Sequence, residues 1–231
     1  MSRRFAIVPA GGSGSRFGTP SPKQFTLLRG QPLLVHTIAA LLAPGAVEHV
    51  FVALSPEHQQ SHTSINWALL GARVTPLWCA GETRAITVQK ALHAIQDQLH
   101  AMDWVLVHDG ARPCLSTTAL QRLMATVGED AVGGLLAVPV ADTLKHQDGA
   151  GRVARTVDRT GLWAAQTPQM FRYGLLCQAL QDNPLATDEA SAVEALGHHP
   201  LLVMGEASNL KVTTPADLKW AEYILAAREL A

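Results

Sequence analysis

Short, almost continuous apolar runs alternate with longer amphipathic stretches along most of the chain. The apolar runs are rich in β-branched residues, a pattern typical of strands that are buried on both faces of a parallel sheet. The predicted strands are residues 5–8, 49–54, 74–79, 104–108, 135–140 and 201–205. The predicted helices are residues 32–42, 57–70, 84–99, 117–127 and 215–230, the last with Thr214 as its cap. This alternation predicts an α/β fold with a doubly wound, mostly parallel sheet.

Residues 140–161 break this alternation. Short apolar and polar runs lie on either side of Gln147, Asp148 and Gly149, which predicts a β-hairpin. The segment has too little apolar surface to fold by itself, so we expect a protruding β-arm that packs on a second subunit. A hairpin that lies free on the surface is the alternative. The arm apart, residues 1–231 are expected to form a single domain.

The amino-acid composition excludes several classes of protein. Hydrophobic residues make up 48 % of the chain and charged residues 16 %, which predicts a folded protein with a sizeable core. The net charge of −1 argues against a partner that is a nucleic acid or a membrane, so any anion site must be local. No apolar run approaches the roughly 20 residues of a membrane helix, and the first strand leaves no room for a signal peptide. Three widely spaced cysteines, Cys79, Cys114 and Cys177, predict reduced thiols in a cytoplasmic protein without a metal–cysteine site.

A glycine-rich segment follows the first predicted strand. It reads Pro9-Ala10-Gly11-Gly12-Ser13-Gly14-Ser15-Arg16-Phe17-Gly18, and Lys23 comes five residues later. Glycines let backbone N–H groups approach a polyphosphate, and the two basic side chains add full positive charge. The segment lacks the Gly-Lys-Ser/Thr of a Walker A loop, and its glycine spacing is one residue too long for a dinucleotide-binding fingerprint. Glycines that only shape a turn are the alternative, but Arg16 and Lys23 favour a site for a nucleoside triphosphate.

Other polar segments follow predicted strands and should meet this loop. Ligands of a doubly wound sheet bind beyond the carboxyl ends of the strands, where residues 81–87 and 108–113 also lie. Asp109 ends the fourth strand, where a carboxylate can bind hydroxyls or a hydrated Mg²⁺, and a turn or a helix cap is the alternative. Asp188 and Glu189 are either a functional acid pair or part of the cap of a helix over residues 188–196, with Thr187 as its N-cap. Capping is slightly favoured.

Several segments together resemble the 2-C-methyl-D-erythritol 4-phosphate cytidylyltransferase family of sugar-phosphate nucleotidyltransferases. They are the glycine-rich segment with Pro22-Lys23-Gln24, and residues 107–113, 139–145, 156–159, 166–169, 187–191 and 209–213. The resemblance runs nearly end to end. It implies a Rossmann-like fold, a homodimer clasped by the arms, and the conversion of CTP and methylerythritol phosphate to 4-diphosphocytidyl-2-C-methylerythritol and pyrophosphate in non-mevalonate isoprenoid biosynthesis.

The resemblance also implies roles for particular residues. The catalytic cations are Arg16, Lys23 and Lys211. The nucleotide site comprises Ala10, Gly11, Gly12, Ser13, Gly14, Gly81, Glu82, Arg84, Thr87 (where the family usually has Ser) and Asp109. The polyol phosphate site comprises Asp109, Arg112, Thr143, Arg159 and Thr167, with Thr143 and Arg159 reaching into the cleft of the neighbouring subunit. Mg²⁺ is expected to be held mainly by the triphosphate, with no set of protein ligands.

The chemistry of such a reaction requires cations rather than a general base. A phosphate monoester is already ionised near neutral pH, while negative charge gathers on the phosphate oxygens in the transition state. The ten histidines therefore need no catalytic role, and most are expected on the surface. A ribitol 5-phosphate cytidylyltransferase and a non-catalytic nucleotide sensor are the alternatives, although a sensor has no need of the three cations. An NAD-dependent oxidoreductase is disfavoured by the glycine spacing.

Overall fold

The computed structural model describes residues 2–12, 22–43, 45, 47–58 and 65–229. The strands are β1 (Arg4–Pro9), β2 (Leu27–Leu28), β3 (Gln31–Pro32), β4 (His49–Ala53), β5 (Val74–Leu77), β6 (Trp104–Val107), β7 (Gly133–Pro139), β8 (Leu144–Gln147), β9 (Val153–Val157), β10 (Trp163–Arg172) and β11 (Leu201–Met204). The helices are α1 (Leu33–Leu42), α2 (Arg84–Ala94), α3 (Thr117–Val127), α4 (Tyr173–Asp182), α5 (Glu189–Glu194) and α6 (Pro215–Glu229).

Seven strands form the central sheet, in the order β11-β7-β10-β6-β1-β4-β5. All neighbouring pairs are parallel except the two that involve β10, which runs antiparallel to both β6 and β7. Helices pack on both faces. The predicted α/β fold with a mostly parallel sheet is therefore confirmed.

Strand β10 of the central sheet was not predicted from the apolar pattern, and neither were β2, β3 and α4. The pairing of β10 with β7 is irregular between Ala165 and Gln169. Between them lie Gln166, Thr167 and Pro168, which interrupt the apolar run that signals a buried strand, and proline also removes a backbone donor. The polar residues are nevertheless buried, because hydrogen bonds described below satisfy their side chains.

The predicted helix over residues 57–70 is wrong. The structure has short 3₁₀ turns at Pro56–His58 and Trp67–Leu70, and residues 59–64 lie outside the described part of the chain. Asn66, directly before the second turn, is extended, with φ −81° and ψ 94°. In sequence, residues 59–64 are all polar, so they offer no apolar face to bury, and Ser and Thr favour caps and turns over helix interiors.

Alternation along β1 divides the core between the two faces of the sheet. Ala6 and Val8 belong to the cluster that includes buried side chains of α1 and α3, whereas Phe5 and Ile7 belong to the cluster with α2, α4 and α5. A smaller cluster packs α6 against residues around β2 and α1. The backbone N–H of Val212 donates to the carbonyl of Ala111, 2.8 Å away, which returns the segment before α6 to the carboxyl edge of β6.

The hairpin predicted within residues 140–161 is confirmed. Strands β8 and β9 pair antiparallel, with Leu144 opposite Val157. At the tip, the Asp148 carboxylate accepts the backbone N–H groups of Ala150 and Arg152 at 2.9 and 2.8 Å, and Gly151 adopts a φ of +79°. Most side chains of the arm are exposed.

Each of the three cysteines, all of them in the described residues, is unpaired; Cys114 is buried and the other two are half-buried. None of the helices in the described part of the chain has both the length and the apolar character that crossing a bilayer requires.

Candidate active site

A cleft of about 450 Å³ lies at the carboxyl edge of the sheet, where β1, β5 and β6 end. It is lined by Pro9, Ala10, Gly11, Gly12, Lys23, Gln24, Gly81, Glu82, Thr83, Arg84, Thr87, Asp109, Gly110, Ala111, Lys211 and Thr213. The structure thus brings together every predicted nucleotide-binding residue within its described part, together with two of the three predicted cations. Ser13, Gly14 and Arg16 lie outside the described residues.

The loop after β1 is held from behind by a buried amide. The Nε2 of Gln24 donates to the carbonyls of Ala10 and Gly12, at 2.8 and 3.0 Å. Gly11 is required by packing, because a Cβ there would lie 2.2 Å from the Cβ of Ala80. A Cβ on Gly12 would meet no described atom within 4 Å, and no left-handed φ requires glycine there. Gly12 lines the cleft, and no packing contact with the described residues requires a glycine at this position.

Two threonine side chains stabilise the turn before α2 by hydrogen bonds to its backbone. Thr83 caps the helix by accepting the N–H of Ile86 at 3.2 Å. The Thr87 hydroxyl accepts the N–H of Gly81 at 3.0 Å and donates to the carbonyl of Thr83 at 2.9 Å. This hydroxyl shapes the turn and retains one lone pair for a ligand. Gly81 is required by packing, because a Cβ there would lie 2.3 Å from a methyl group of Ile86.

An ionic cluster surrounds Asp109 at the end of β6. Its Oδ1 accepts the Nε of Arg84 at 2.9 Å, and its Oδ2 pairs with the Nζ of Lys211 at 2.8 Å. The Nε of Arg112 lies 3.6 Å from the same Oδ2, which is an ion pair but longer than a hydrogen bond. The two terminal nitrogens of Arg84 donate to the two oxygens of Glu189, at 2.7 and 2.9 Å.

The charges in this cluster set the protonation of both carboxyls. Burial disfavours the charged form of Asp109, but Arg84, Lys211 and Arg112 outweigh it and hold the pKa of that carboxyl well below its ordinary value. Burial raises the pKa of Glu189, while the paired Arg84 opposes that rise. Asp109 is therefore a fixed negative charge at neutral pH.

A second network holds the backbone of Asp109 in place. The Asp109 N–H donates to the Oγ1 of Thr167 at 3.0 Å, and that hydroxyl lies 2.9 Å from the Nδ1 of His108. The Nε2 of His108 lies 3.1 Å from the carbonyl of Arg112 and must donate to it. Because burial lowers the pKa of His108 to about 4, its imidazole is neutral at neutral pH, and the Nδ1 accepts the hydroxyl proton of Thr167. The Nδ2 of Asn209 completes the network by donating to the Thr167 carbonyl at 2.8 Å.

The predicted polyol-binding residues lie in different places. Arg112 and Thr167 are buried behind Asp109, where the Nη1 of Arg112 donates to the Asn209 carbonyl at 2.6 Å. Their supporting contacts are evident, and direct contact with a substrate stays a prediction. Thr143 and Arg159 are exposed at the base of the arm and do not line the cleft of their own chain.

The sequence profile described as IspD, 2-C-methyl-D-erythritol 4-phosphate cytidylyltransferase, matches residues 5–227. The chain belongs to this family. Two curated relatives of that name are each 53 % identical to it: one from Aromatoleum aromaticum, over 98 % of this chain and 97 % of its own, and one from Dechloromonas aromatica, over 99 % and 100 %.

Solved structures give the same assignment. One described as 4-diphosphocytidyl-2C-methyl-D-erythritol synthase is similar to this IspD family member with a TM-score of 0.85 at 39 % identity, covering 97 % of this chain and 100 % of that one. The 2-C-methyl-D-erythritol 4-phosphate cytidylyltransferase of Francisella tularensis matches with a TM-score of 0.82 at 33 % identity, over 96 % and 100 %.

The predicted capping arrangement of α5 needs one correction. The N-cap is Asp188 rather than Thr187, because the Asp188 carboxylate accepts the N–H of Ser191 at 2.9 Å and the Ser191 hydroxyl accepts the N–H of Asp188 at 3.2 Å. The helix is Glu189–Glu194, so Glu189 begins it and turns inward to Arg84. Asp188 therefore caps the helix, whereas Glu189 belongs to the ionic cluster of this IspD site.

Four residues of the site had no predicted role: Gln24, His108, Gln169 and Asn209. All four are buried and bind main-chain groups that shape the cleft. All four belong to short segments that carry the family resemblance, which was the available signal. Residue type alone does not distinguish a buried amide that binds backbone from an exposed one.

The first prediction concerns the pH dependence of stability. Burial lowers the pKa of His108 from 6.5 to about 4. Between these pH values the unfolded chain binds more protons than the folded chain. The neutral His108 therefore makes its full contribution to the free energy of unfolding above about pH 6.5, and about 3 kcal/mol of that free energy is lost as the pH decreases to about 4. Urea unfolding across this range should show a shallower pH dependence for His108→Gln than for the wild type. The exposed His93→Gln is the control, and equal slopes for all three proteins would contradict the assignment.

Proposed function

We propose that this chain transfers the cytidylyl group of CTP to 2-C-methyl-D-erythritol 4-phosphate, forming 4-diphosphocytidyl-2-C-methyl-D-erythritol and pyrophosphate. The observation that carries the proposal is the cleft itself, in which Lys23, Arg84 and Lys211 surround the strand ends where such a sheet binds its ligand. Family membership over residues 5–227 and the names of the full-length relatives support this pair of substrates.

The reaction needs little covalent chemistry from the protein. A phosphate oxygen of the polyol phosphate attacks the α-phosphorus of CTP, and the bond to the bridging oxygen of the β-phosphate breaks as pyrophosphate leaves. The Nζ of Lys23 donates to the carbonyl of Val212 at 2.9 Å, and the Nζ of Lys211 pairs with Asp109, so both lysines are held in the lining of the same cleft. We assign both to the charge that develops on the phosphate oxygens. Arg16, the third assigned cation, lies outside the described residues.

Mg²⁺ would arrive with the triphosphate. Among the described residues, no three His, Cys, Asp or Glu side chains form a group that could hold a metal ion by themselves. The carboxylates that line the cleft are Glu82 and Asp109. This fits the usual Mg²⁺ site of one or two carboxylates completed by substrate phosphates, with Asp109 as the residue that would hold the ion or its water. When bound, the metal neutralises phosphate charge.

The arm is assigned to a homodimer. Thr143 and Arg159 do not line their own cleft, and two apolar residues, Val153 on the arm and Leu162 directly after it, are exposed, 64 and 39 % accessible. Packing of the arm on a second copy would cover these apolar groups and place the two polar side chains at the partner's cleft, where Arg159 can bind a phosphate.

The unpaired cysteines support a cytoplasmic location.

The second prediction tests the substrates. Pyrophosphate release with methylerythritol phosphate and Mg²⁺ should be at least about 10²-fold faster with CTP than with UTP, ATP or GTP, because a wrong base leaves buried polar groups unpaired. Lys211→Ala should lower the rate by about 10²–10³-fold. The exposed Lys219→Ala is the matched control and should leave it unchanged. Equal rates with CTP and UTP, or faster turnover of ribitol 5-phosphate, would contradict the proposal.

The third prediction separates two neighbouring glycines. Gly12→Ala should leave unfolding unchanged but weaken CTP binding about tenfold, because the new methyl group enters space assigned to the nucleotide. Gly11→Ala should lower the free energy of unfolding by about 1–3 kcal/mol, because its Cβ overlaps Ala80. Calorimetric titration and urea unfolding measure the two effects. Unaltered CTP binding by Gly12→Ala would remove that residue from the nucleotide site.

The fourth prediction tests the shared site. Arg159→Ala and Lys211→Ala should each be nearly inactive as homodimers. In a mixed dimer, the cleft with an intact Lys211 receives an intact Arg159 from its partner, so a 1:1 mixture should regain about a quarter of wild-type activity by random pairing. Subunit exchange is verified with two affinity tags. Exchange without recovered activity would show that the arm does not serve the neighbouring cleft.

A further inference from the structure

We infer that Glu189 is a positioning residue for this reaction: it fixes the Arg84 guanidinium, through which it orients the Asp109 carboxylate in the cleft. The inference rests on the proposed function. Glu189 is fully buried and is not among the residues that line the cleft, so it acts through another side chain rather than on a substrate.

The geometry of Arg84 supports this role. Its two terminal nitrogens are both taken by Glu189, at 2.7 and 2.9 Å, and only its Nε, at 2.9 Å, is directed to Asp109. A bidentate pair fixes the plane of a guanidinium as well as its position. The remote carboxylate therefore determines where the Nε that binds Asp109 is placed.

Glu189 is itself fixed to the sheet. The Nε2 of Gln169 on β10 donates to the Asp188 carboxylate at 2.8 Å, and the Oε1 of Gln169 accepts the N–H of Ala190 at 2.8 Å. Gln169 is buried. Both neighbours of Glu189 along the chain are thus bound to one strand, and Glu189 cannot follow Arg84 if that side chain rotates.

The arrangement continues to Lys211. Asp109 shares its two oxygens between Arg84 on Oδ1 and Lys211 on Oδ2. If Arg84 loses its orientation, Oδ1 loses a strong donor and the carboxylate is free to turn. The ammonium group that is assigned to the phosphates then loses its fixed counter-charge as well.

The change in charge and the loss of orientation on substituting Glu189 predict different effects, one on nucleotide affinity and the other on turnover, so the role can be tested. The cluster has three cations, Arg84, Arg112 and Lys211, and two carboxylates, Asp109 and Glu189. Neutralising Glu189 makes the cluster more positive, which by charge alone strengthens binding of an anionic nucleotide. Loss of orientation instead lowers turnover. A merely structural role changes the free energy of unfolding without separating kcat from affinity.

The fifth prediction therefore compares Glu189→Gln with Glu194→Gln, an exposed residue of the same helix with the same charge change. Glu189→Gln should lower kcat by about 10–100-fold while the Kd for CTP is unchanged or smaller. Glu189→Asp keeps the charge but is one methylene too short to keep both bonds, so it should also lower kcat. In an Arg84→Lys background, which has no fork to hold, Glu189→Gln should have little additional effect.

The outcomes separate this inference from the proposed function. An active wild type with equal kcat for Glu189→Gln and Glu194→Gln would overturn the inference alone, as would additive losses in the Arg84→Lys background. A wild type that does not turn over CTP and methylerythritol phosphate would contradict the proposed function first. If urea unfolding shows that Glu189→Gln is not folded at the assay temperature, Glu189→Asp and Arg84→Lys decide, and normal kcat in both overturns the inference.

Discussion

A buried carboxylate that must remain charged is the constraint on which the cleft depends. Asp109 is nearly inaccessible at the end of β6, and an ionised group in such a place is costly unless cations and hydrogen bonds compensate it. The compensation comes from three separate parts of the chain: Arg84 at the start of α2, Arg112 in the turn after β6, and Lys211 before α6. Satisfying one charge therefore brings together the elements that form the site.

The antiparallel strand β10 explains how these elements are held. It lies beside β6, and its buried polar residues are directed to main-chain groups on either side. Gln166 donates to the Glu206 carbonyl at 2.9 Å, Thr167 accepts the N–H of Asp109, and Gln169 binds the first turn of α5. An apolar strand at this position would complete the sheet but leave the cleft without these supports. Because these residues are polar, β10 has no continuous apolar run and was not predicted as a strand.

Elements that depend on local sequence pattern were predicted correctly, whereas features that depend on contacts between residues far apart in the chain were not. The parallel strands, α3 and the hairpin within residues 140–161 follow from periodicity and turn residues, and the structure confirms them. The predicted helix over residues 57–70 was wrong, and its central residues 59–64 carry no apolar side chain in sequence. Gly11 and Gly81 were predicted to bind the nucleotide. Close packing against Ala80 and Ile86 already requires glycine at both positions, and these contacts cannot be predicted from the sequence. The partnership of Glu189 with Arg84 joins residues 105 positions apart, which no local pattern reveals.

The partners of Asp109 differ in how readily a ligand can displace them. The side chains of Arg84 and Arg112 are 24 and 11 % exposed, whereas that of Lys211 is 41 % exposed. Lys211 is thus the most accessible of the three, and its side chain is a flexible stem that ends in a point charge. A polyphosphate can therefore reach Lys211 and draw its ammonium group toward the phosphates, while Arg84 stays paired with Asp109 and forms a forked pair with Glu189. The cleft combines a fixed ionic frame with one exchangeable cation, which is the division that phosphoryl chemistry requires: geometry that does not relax and charge that can move to the phosphates.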